Sequence, residues 1–238
     1  MHYPTSHAQR GFTLVEIAIV LVIIGLLLGG ILRGQELIKS ARVRSIANQN
    51  SGIQAAYFGF LDRYQRKPGD WSQANAVQAI PGVTTGGDGD GQIAGGASAP
   101  WDEALAVWEH LSRAGFIQGI YTGGNSAPAA DSTDKAPSNY NGGLMFLFET
   151  ADYADDGTPV SRLNLVLGNQ IEVEILRELD LKIDDSFPTT GVVRHAATAG
   201  ATLGAFGQSS AACVDADATP DIYDIAGNQQ NCNAVYLY

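Results

Sequence analysis

The chain has 238 residues, 45% of them hydrophobic and 16% charged, which suits one sizeable domain with an accessory segment and excludes a disordered protein. Its 28 glycines and 9 prolines point to long loops, and its two cysteines exclude a disulfide scaffold or a four-thiolate zinc site. A formal net charge of −11 argues against a body that grips nucleic acid.

The apolar residues are concentrated near the N-terminus. Phe12 to Leu32 reads FTLVEIAIVLVIIGLLLGGIL, with Glu16 as its one charge. As a helix this run would be about 31 Å long, the thickness of a bilayer core. A secretory signal has a shorter apolar part followed by a small-residue cleavage site. Here the chain continues through Arg33, Glu36 and Lys39, a charged and helix-forming stretch. An acidic side chain inside a spanning helix costs about 2.5–3.5 kcal/mol at the bilayer centre. Glu16 therefore either reaches the interface or takes a cationic partner inside an assembly. A cut just before Phe12 would create such a partner, an amine one helical turn away.

Arg10-Gly11-Phe12-Thr13-Leu14-Val15-Glu16, ahead of a long apolar run, resembles the processing site of type IV prepilins and type II secretion pseudopilins. The resemblance implies that a prepilin peptidase cuts between Gly11 and Phe12, releasing residues 1–11, and that Phe12 is N-methylated. It implies that Glu16 pairs with the N-terminal amine of a neighbouring copy during assembly. The implied partners are further copies of the chain in a helical homopolymer, the peptidase, an inner-membrane assembly platform with its ATPase motor, and membrane lipid before assembly. Many members have a proline near the end of the apolar run. This chain has Arg33 there, and Gly25, Gly29, Gly30 and Gly34 are what would weaken its helix. Arg10 precedes the run while Arg33, Lys39, Arg42 and Arg44 follow it, so a positive-inside count puts the C-terminal side in the cytoplasm. The resemblance puts it outside, and a bridge between Cys213 and Cys232 would agree with the resemblance.

Ile46, Ile53, Tyr57, Phe60 and Tyr64 form one helical stripe, and Pro68-Gly69-Asp70 ends it. The pattern predicts a helix from Phe12 to about Tyr64, of which only the first part fits in a bilayer. The expected organisation is a leader over 1–11, a transmembrane and stem helix over 12–67, and a globular head over 68–238. Residues 1–67 carry 8 Lys/Arg against 3 Asp/Glu, and residues 68–238 carry 6 against 22. A basic stem thus precedes an acidic head, and nucleic acid is not an expected partner.

In the head, residues 68–100 read as loop. A helix runs from Trp101 to about Ala114, opened by Pro100 and closed by Gly115, with Leu105, Trp108 and Leu111 inward. Residues 122–142 form a second loop. The stretches 143–149 and 162–168 read as strands, Ile171, Ile175 and Leu179 as a short helix, and Val192-Val193 and 234–238 as further strands. The fold class is α+β: a long N-terminal membrane-spanning α-helix packed on an antiparallel β-sheet head with long loops, a pilin-like arrangement.

Asp88-Gly-Asp90-Gly has the alternating oxygen ligands and turn glycines of a calcium loop. Gly86 and Ala97 stand where the first and last EF-hand carboxylates belong, so it is not an EF-hand. Glu103 can supply another carboxylate. Asp88, Asp90 and Glu103 are the candidate ligands and calcium the candidate cofactor; the alternative is an acidic turn. Asp184 and Asp185 read as a helix end or turn. Cys213 and Cys232, 19 positions apart, can form one bridge or remain two thiols. A bridge belongs outside the cytosol, and the spacing resembles the C-terminal disulfide loop of many pilins. Hydrolase, zincin, P-loop and dinucleotide motifs are absent from the sequence, and His110 and His195 read as surface or hydrogen-bonded residues. An enzyme is not expected. The expected role is a structural subunit of a type IV pilus-like filament, with a type II secretion pseudopilin or a minor calcium-dependent adhesin or tip subunit as alternatives. The precursor would sit in a bacterial inner membrane and the product in a periplasm-spanning or cell-surface filament.

Overall fold

The computed structural model describes residues 13–94, 101–129, 131–151, 153, 160–196 and 209–238. The expected leader, residues 1–11, and Phe12, together with Pro100, lie outside the described residues. The chain divides into two units, Met1–Ala41 and Arg42–Tyr238, and the division falls inside helix α1 (Leu14–Tyr64).

In the first unit α1 is apolar on every side between Ile17 and Leu32. Leu14, Leu26 and Leu32 are 91%, 74% and 68% exposed, and its most apolar window has no buried residue. A helix that is hydrophobic all round requires lipid or protein around it. By length and composition α1 can cross a membrane.

The second unit begins where the apolar residues of α1 narrow to one stripe. Val43, Ile46, Ile53, Ala56, Tyr57 and Phe60 are buried, at the three- and four-residue spacing of a helix face. Further elements are α2 (Gln73–Ala79), α3 (Asp102–Arg113), β1 (Phe146–Thr150), β2 (Arg162–Val166), α4 (Val173–Ile183), β3 (Val193–His195), β4 (Val214–Asp215), β5 (Ile222–Tyr223) and β6 (Ala234–Leu237). The main sheet has the order β1-β2-β6-β3, and each neighbouring pair is antiparallel. Phe146 faces Val166, Leu165 faces Tyr236, and Arg194 faces Val235. Strands β4 and β5 pair separately. The stripe of α1, most of α3, one face of α4 and the main sheet share one core, in which Phe60, Trp108, Phe146 and Phe148 are fully buried. The architecture is the expected α+β one.

Loops bond to both edge strands. Glu149 N–H of β1 donates to Ile93 O, and His195 N–H of β3 donates to Pro188 O. This limits the bare backbone available for strand addition.

Three local features differ from the sequence reading. Helix α2 lies in what reads as loop: Gln-Ala-Asn-Ala-Val-Gln-Ala is rich in helix formers, but seven residues with only Ala76 buried carry no readable period. Helix α3 has no solvated face between Glu103 and Leu111, and its polar residues Glu103, Glu109 and His110 are buried with the apolar ones. Strands β4 and β5 are two residues each, too short for an alternation to register. The end of α3 is as expected from Gly115. Phe116 N–H donates to Leu111 O at 2.9 Å and Gly115 N–H to Ser112 O at 3.1 Å, closing the helix in a Schellman turn.

Candidate functional site

At the start of α1, Glu16 and Thr13 bond reciprocally. Glu16 N–H donates to Thr13 Oγ1 at 3.2 Å, while Thr13 N–H and the Thr13 hydroxyl donate to Glu16 Oε2 at 2.8 and 2.9 Å. This is a capping box, Thr-x-x-Glu, which satisfies helix donors that have no intrahelical partner. Its carboxylate lies at the positive end of the helix dipole. Thr13 N is the amide that joins Thr13 to Phe12, so the Glu16 carboxylate sits one residue from the amine that cleavage before Phe12 would create. The Thr-x-x-Glu spacing was the signal for this arrangement; the resemblance accounts for Glu16 through assembly alone.

The acidic loop is built by α3. Glu103 Oε1 accepts Asp88 N–H at 3.0 Å and Oε2 accepts Ala94 N–H at 2.6 Å. Burial pushes the Glu103 carboxyl up to about 7; those two amides oppose the shift, and the nearby charges of Asp88 and Asp70 add to it. A Cβ on Gly87 would lie 2.1 Å from Glu103 Oε1, so the close approach requires glycine. Further along α3, the Glu109 carboxylate accepts Thr84 N–H, Thr84 hydroxyl and Thr85 N–H at 3.0, 2.8 and 3.0 Å, and the Thr85 hydroxyl as well. Burial alone would raise its pKa; these four bonds outweigh it and hold the carboxyl below the usual range. His110 bonds through Nδ1 to Gly69 N–H and through Nε2 to Thr85 O. Three buried polar side chains of one helix thus fasten both ends and the middle of the segment from Gly69 to Ala94.

The segment brings Asp70, Asp88 and Asp90 together, each with a carboxylate oxygen within 4.8 Å of the others'. One oxygen of each accepts a loop amide: Gly91 N–H at Asp70, Asp90 N–H at Asp88 and Gln92 N–H at Asp90. Of the three candidate ligands, Asp88 and Asp90 are in this group, while Glu103 reaches the same loop through the two amides. Asp70 is the residue that sequence reasoning missed. It arrives through the parallel bridge between Ser72 and Gly87, where Gly87 N–H donates to Trp71 O at 3.0 Å. No spacing in the sequence carries that information. A set of carboxylate oxygens is hard and suits calcium rather than a soft metal.

Cys213 and Cys232 are joined in a disulfide with a Cα–Cα distance of 6.0 Å, and both are buried. Ile171 and Cys232 exchange backbone hydrogen bonds at 3.1 and 2.9 Å, tying the loop to the segment before α4. Near the end of α4, buried Asp180 accepts the Tyr223 hydroxyl at 2.9 Å and Ser186 N–H at 3.1 Å. Asp184 accepts the N–H groups of Val192 and Val193, and Asp185 accepts Phe187 N–H and the Thr190 hydroxyl. The last two carboxylates therefore do the work of a turn.

Comparison with curated proteins and with solved structures gave no match. Residues 6–32 match the family described as the prokaryotic N-terminal methylation motif. The match spans Gly11, Phe12, the Thr13–Glu16 box and the apolar run up to Leu32. With a helix long and apolar enough to span a bilayer directly behind that box, the chain carries the type IV prepilin and pseudopilin signal.

Proposed function

We propose that the chain is a structural subunit of a type IV pilus-like filament, cleaved between Gly11 and Phe12, methylated on Phe12 and polymerised through its N-terminal helix. The observation that carries this reading is the methylation motif at residues 6–32, placed at the head of a helix whose first part, to Leu32, is apolar on every side. Such a helix exchanges lipid for the apolar core of a filament with little change in solvation. Glu16 is the exception, because a carboxylate moved into that core requires a cation. The amine of Phe12 on a neighbouring copy supplies it. The motif also favours a structural role over an enzymatic one.

The test has two parts. Mass spectrometry of the chain from sheared filaments gives a methylated Phe12 N-terminus if the reading holds; an intact leader refutes it. Glu16→Ala is expected to be cleaved yet left out of filaments, and incorporation equal to wild type refutes the pairing. Filaments that stay within the periplasm alongside a secretion apparatus would place the chain among pseudopilins instead.

A second reading, a calcium-dependent surface subunit, rests on the convergence of Asp70, Asp88 and Asp90. Calorimetric titration with calcium tests it: heat that disappears in Asp88→Ala/Asp90→Ala supports the reading, and no heat in the unsubstituted chain removes it.

A further inference from the structure

Beside the acidic loop lies an open cavity of about 270 Å³. Arg66, just past the end of α1, and Trp71 form part of its lining, with Asn75 of α2 and the carboxylates of Asp70 and Asp88. Its size is just below the range of roughly 300–1,000 Å³ typical of small-molecule sites, which leaves room for a single ring.

The lining has unused bonding capacity of both kinds. The Arg66 guanidinium, a fork of N–H donors, makes no hydrogen bond or ion pair to any described residue. Asn75 donates through Nδ2 to Ser72 Oγ at 2.9 Å, and its Oδ1 has no partner among the described residues. Asp70 and Asp88 each hold one loop amide on Oδ1, which leaves acceptor capacity on the second oxygen. Trp71 is half-buried, packed against Tyr64 with ring centroids 5.6 Å apart and against Phe60 at 6.5 Å, so its indole is held in place.

Charge narrows the class of ligand. An anion meets Asp70 and Asp88, and a cation meets Arg66. An apolar molecule would desolvate charged groups without pairing them. A neutral ring bearing several hydroxyls avoids all three penalties. Each hydroxyl both donates and accepts, so it can give its proton to a carboxylate or to Asn75 Oδ1 and accept from the guanidinium. The C–H face of the ring covers the indole. We infer that the cavity formed by Arg66, Trp71, Asn75, Asp70 and Asp88 binds a saccharide residue. The inference goes beyond filament assembly. The charge argument applies to the aspartates without a cation; with one between them, sugar hydroxyls would meet open coordination positions in place of carboxylate oxygens.

The test uses the full chain in a micelle whose detergent has no sugar headgroup. Saturation-transfer NMR is run against methyl glycosides of glucose, galactose, mannose and N-acetylglucosamine, with calcium and again with a chelator. Transfer to the ring protons of at least one glycoside is expected in at least one of the two conditions. Arg66→Ala and Asn75→Ala, at exposed positions, should each weaken that binding about tenfold, the loss expected for a hydrogen bond to a charged or aligned partner. Tryptophan fluorescence and the disulfide check that both variants remain folded. No transfer to any glycoside in either condition overturns the inference. So does transfer that survives unchanged when Arg66→Ala and Asn75→Ala are combined, or preferential binding of a zwitterion such as alanine. None of these outcomes bears on cleavage, methylation or incorporation into filaments.

Discussion

Gly69 N–H donates to His110 Nδ1 at 3.0 Å while His110 Nε2 meets Thr85 O at 3.0 Å, so one buried imidazole holds two distant points of the acidic loop. The acceptor role of Nδ1 requires the neutral ring with its proton on Nε2. A Cβ on Gly69, whose φ is +93°, would lie 2.6 Å from Val107 Cγ2 and 2.7 Å from Glu103 O, so the backbone reaches the ring only as glycine. Phe60 stacks on the imidazole with centroids 6.2 Å apart.

Burial lowers the His110 pKa from 6.5, against smaller opposing effects from Thr85 O and the charge of Glu109. The unfolded chain then binds a proton near pH 6.5 that the folded chain resists, so folding is weakened as pH falls below 6.5. His110→Gln removes this contribution. In urea unfolding followed by tryptophan fluorescence, wild type should lose more stability than the variant between pH 7.5 and 5.5. Equal losses would contradict the assignment of the ring.

Glu109 concentrates four hydrogen bonds from Thr84 and Thr85 on one buried carboxylate. Glu109→Ala leaves two amides and two hydroxyls without that acceptor. The expected cost is about 3–5 kcal/mol, the range for breaking a buried network around a charge. Amide exchange at Thr84 and Thr85 should accelerate more than exchange in β2 or β6.

The disulfide closes a loop whose ends are 19 positions apart. In the chain-entropy description, Cys213→Ala/Cys232→Ala should destabilise the second unit by about 3 kcal/mol. Thiol titration of the unfolded wild-type chain should find no free thiol before reduction and two after it.

Arg42 pairs with Glu172, lies over the Tyr140 ring with Cζ 5.2 Å from its centroid, and Tyr140 donates its hydroxyl to the same carboxylate. The three residues share one charge centre, so their effects should not add. Arg42→Ala is expected to cost about 1–2 kcal/mol, as for a partly buried pair with a cation–π contact. With Tyr140→Phe in place, the Arg42→Ala cost should differ from its cost in wild type by more than about 0.5 kcal/mol. A cycle that closes to zero would show Arg42 and Tyr140 to be independent.

The legible parts of the chain were those set by local repetition. The stripe Ile46, Ile53, Tyr57 and Phe60 names the buried face of α1 because a helix has a fixed period. Gly115 announces the end of α3 for an equally local reason. At the acidic loop, Asp88 and Asp90 were visible through their spacing, but Asp70 was not, because a bridge between Ser72 and Gly87 brings it there. The burial of Glu103, Glu109 and His110 on α3 was not legible for the same kind of reason, although His110 is hydrogen-bonded, one of its two expected states. A Glu or His in an amphipathic pattern reads as solvated unless the loop that covers it is known.

By itself, then, the sequence determined the apolar span, the methylation motif ahead of it and the position of Glu16, since these depend on composition and on contacts within one helical turn. Tertiary structure alone decided that Glu103, Glu109 and His110 face inward, that Asp70 joins Asp88 and Asp90, and that Arg66 and Trp71 line one cavity with them. Those relations depend on where the segment from Gly69 to Ala94 returns, and its path is fixed by buried hydrogen bonds between residues far apart in the chain.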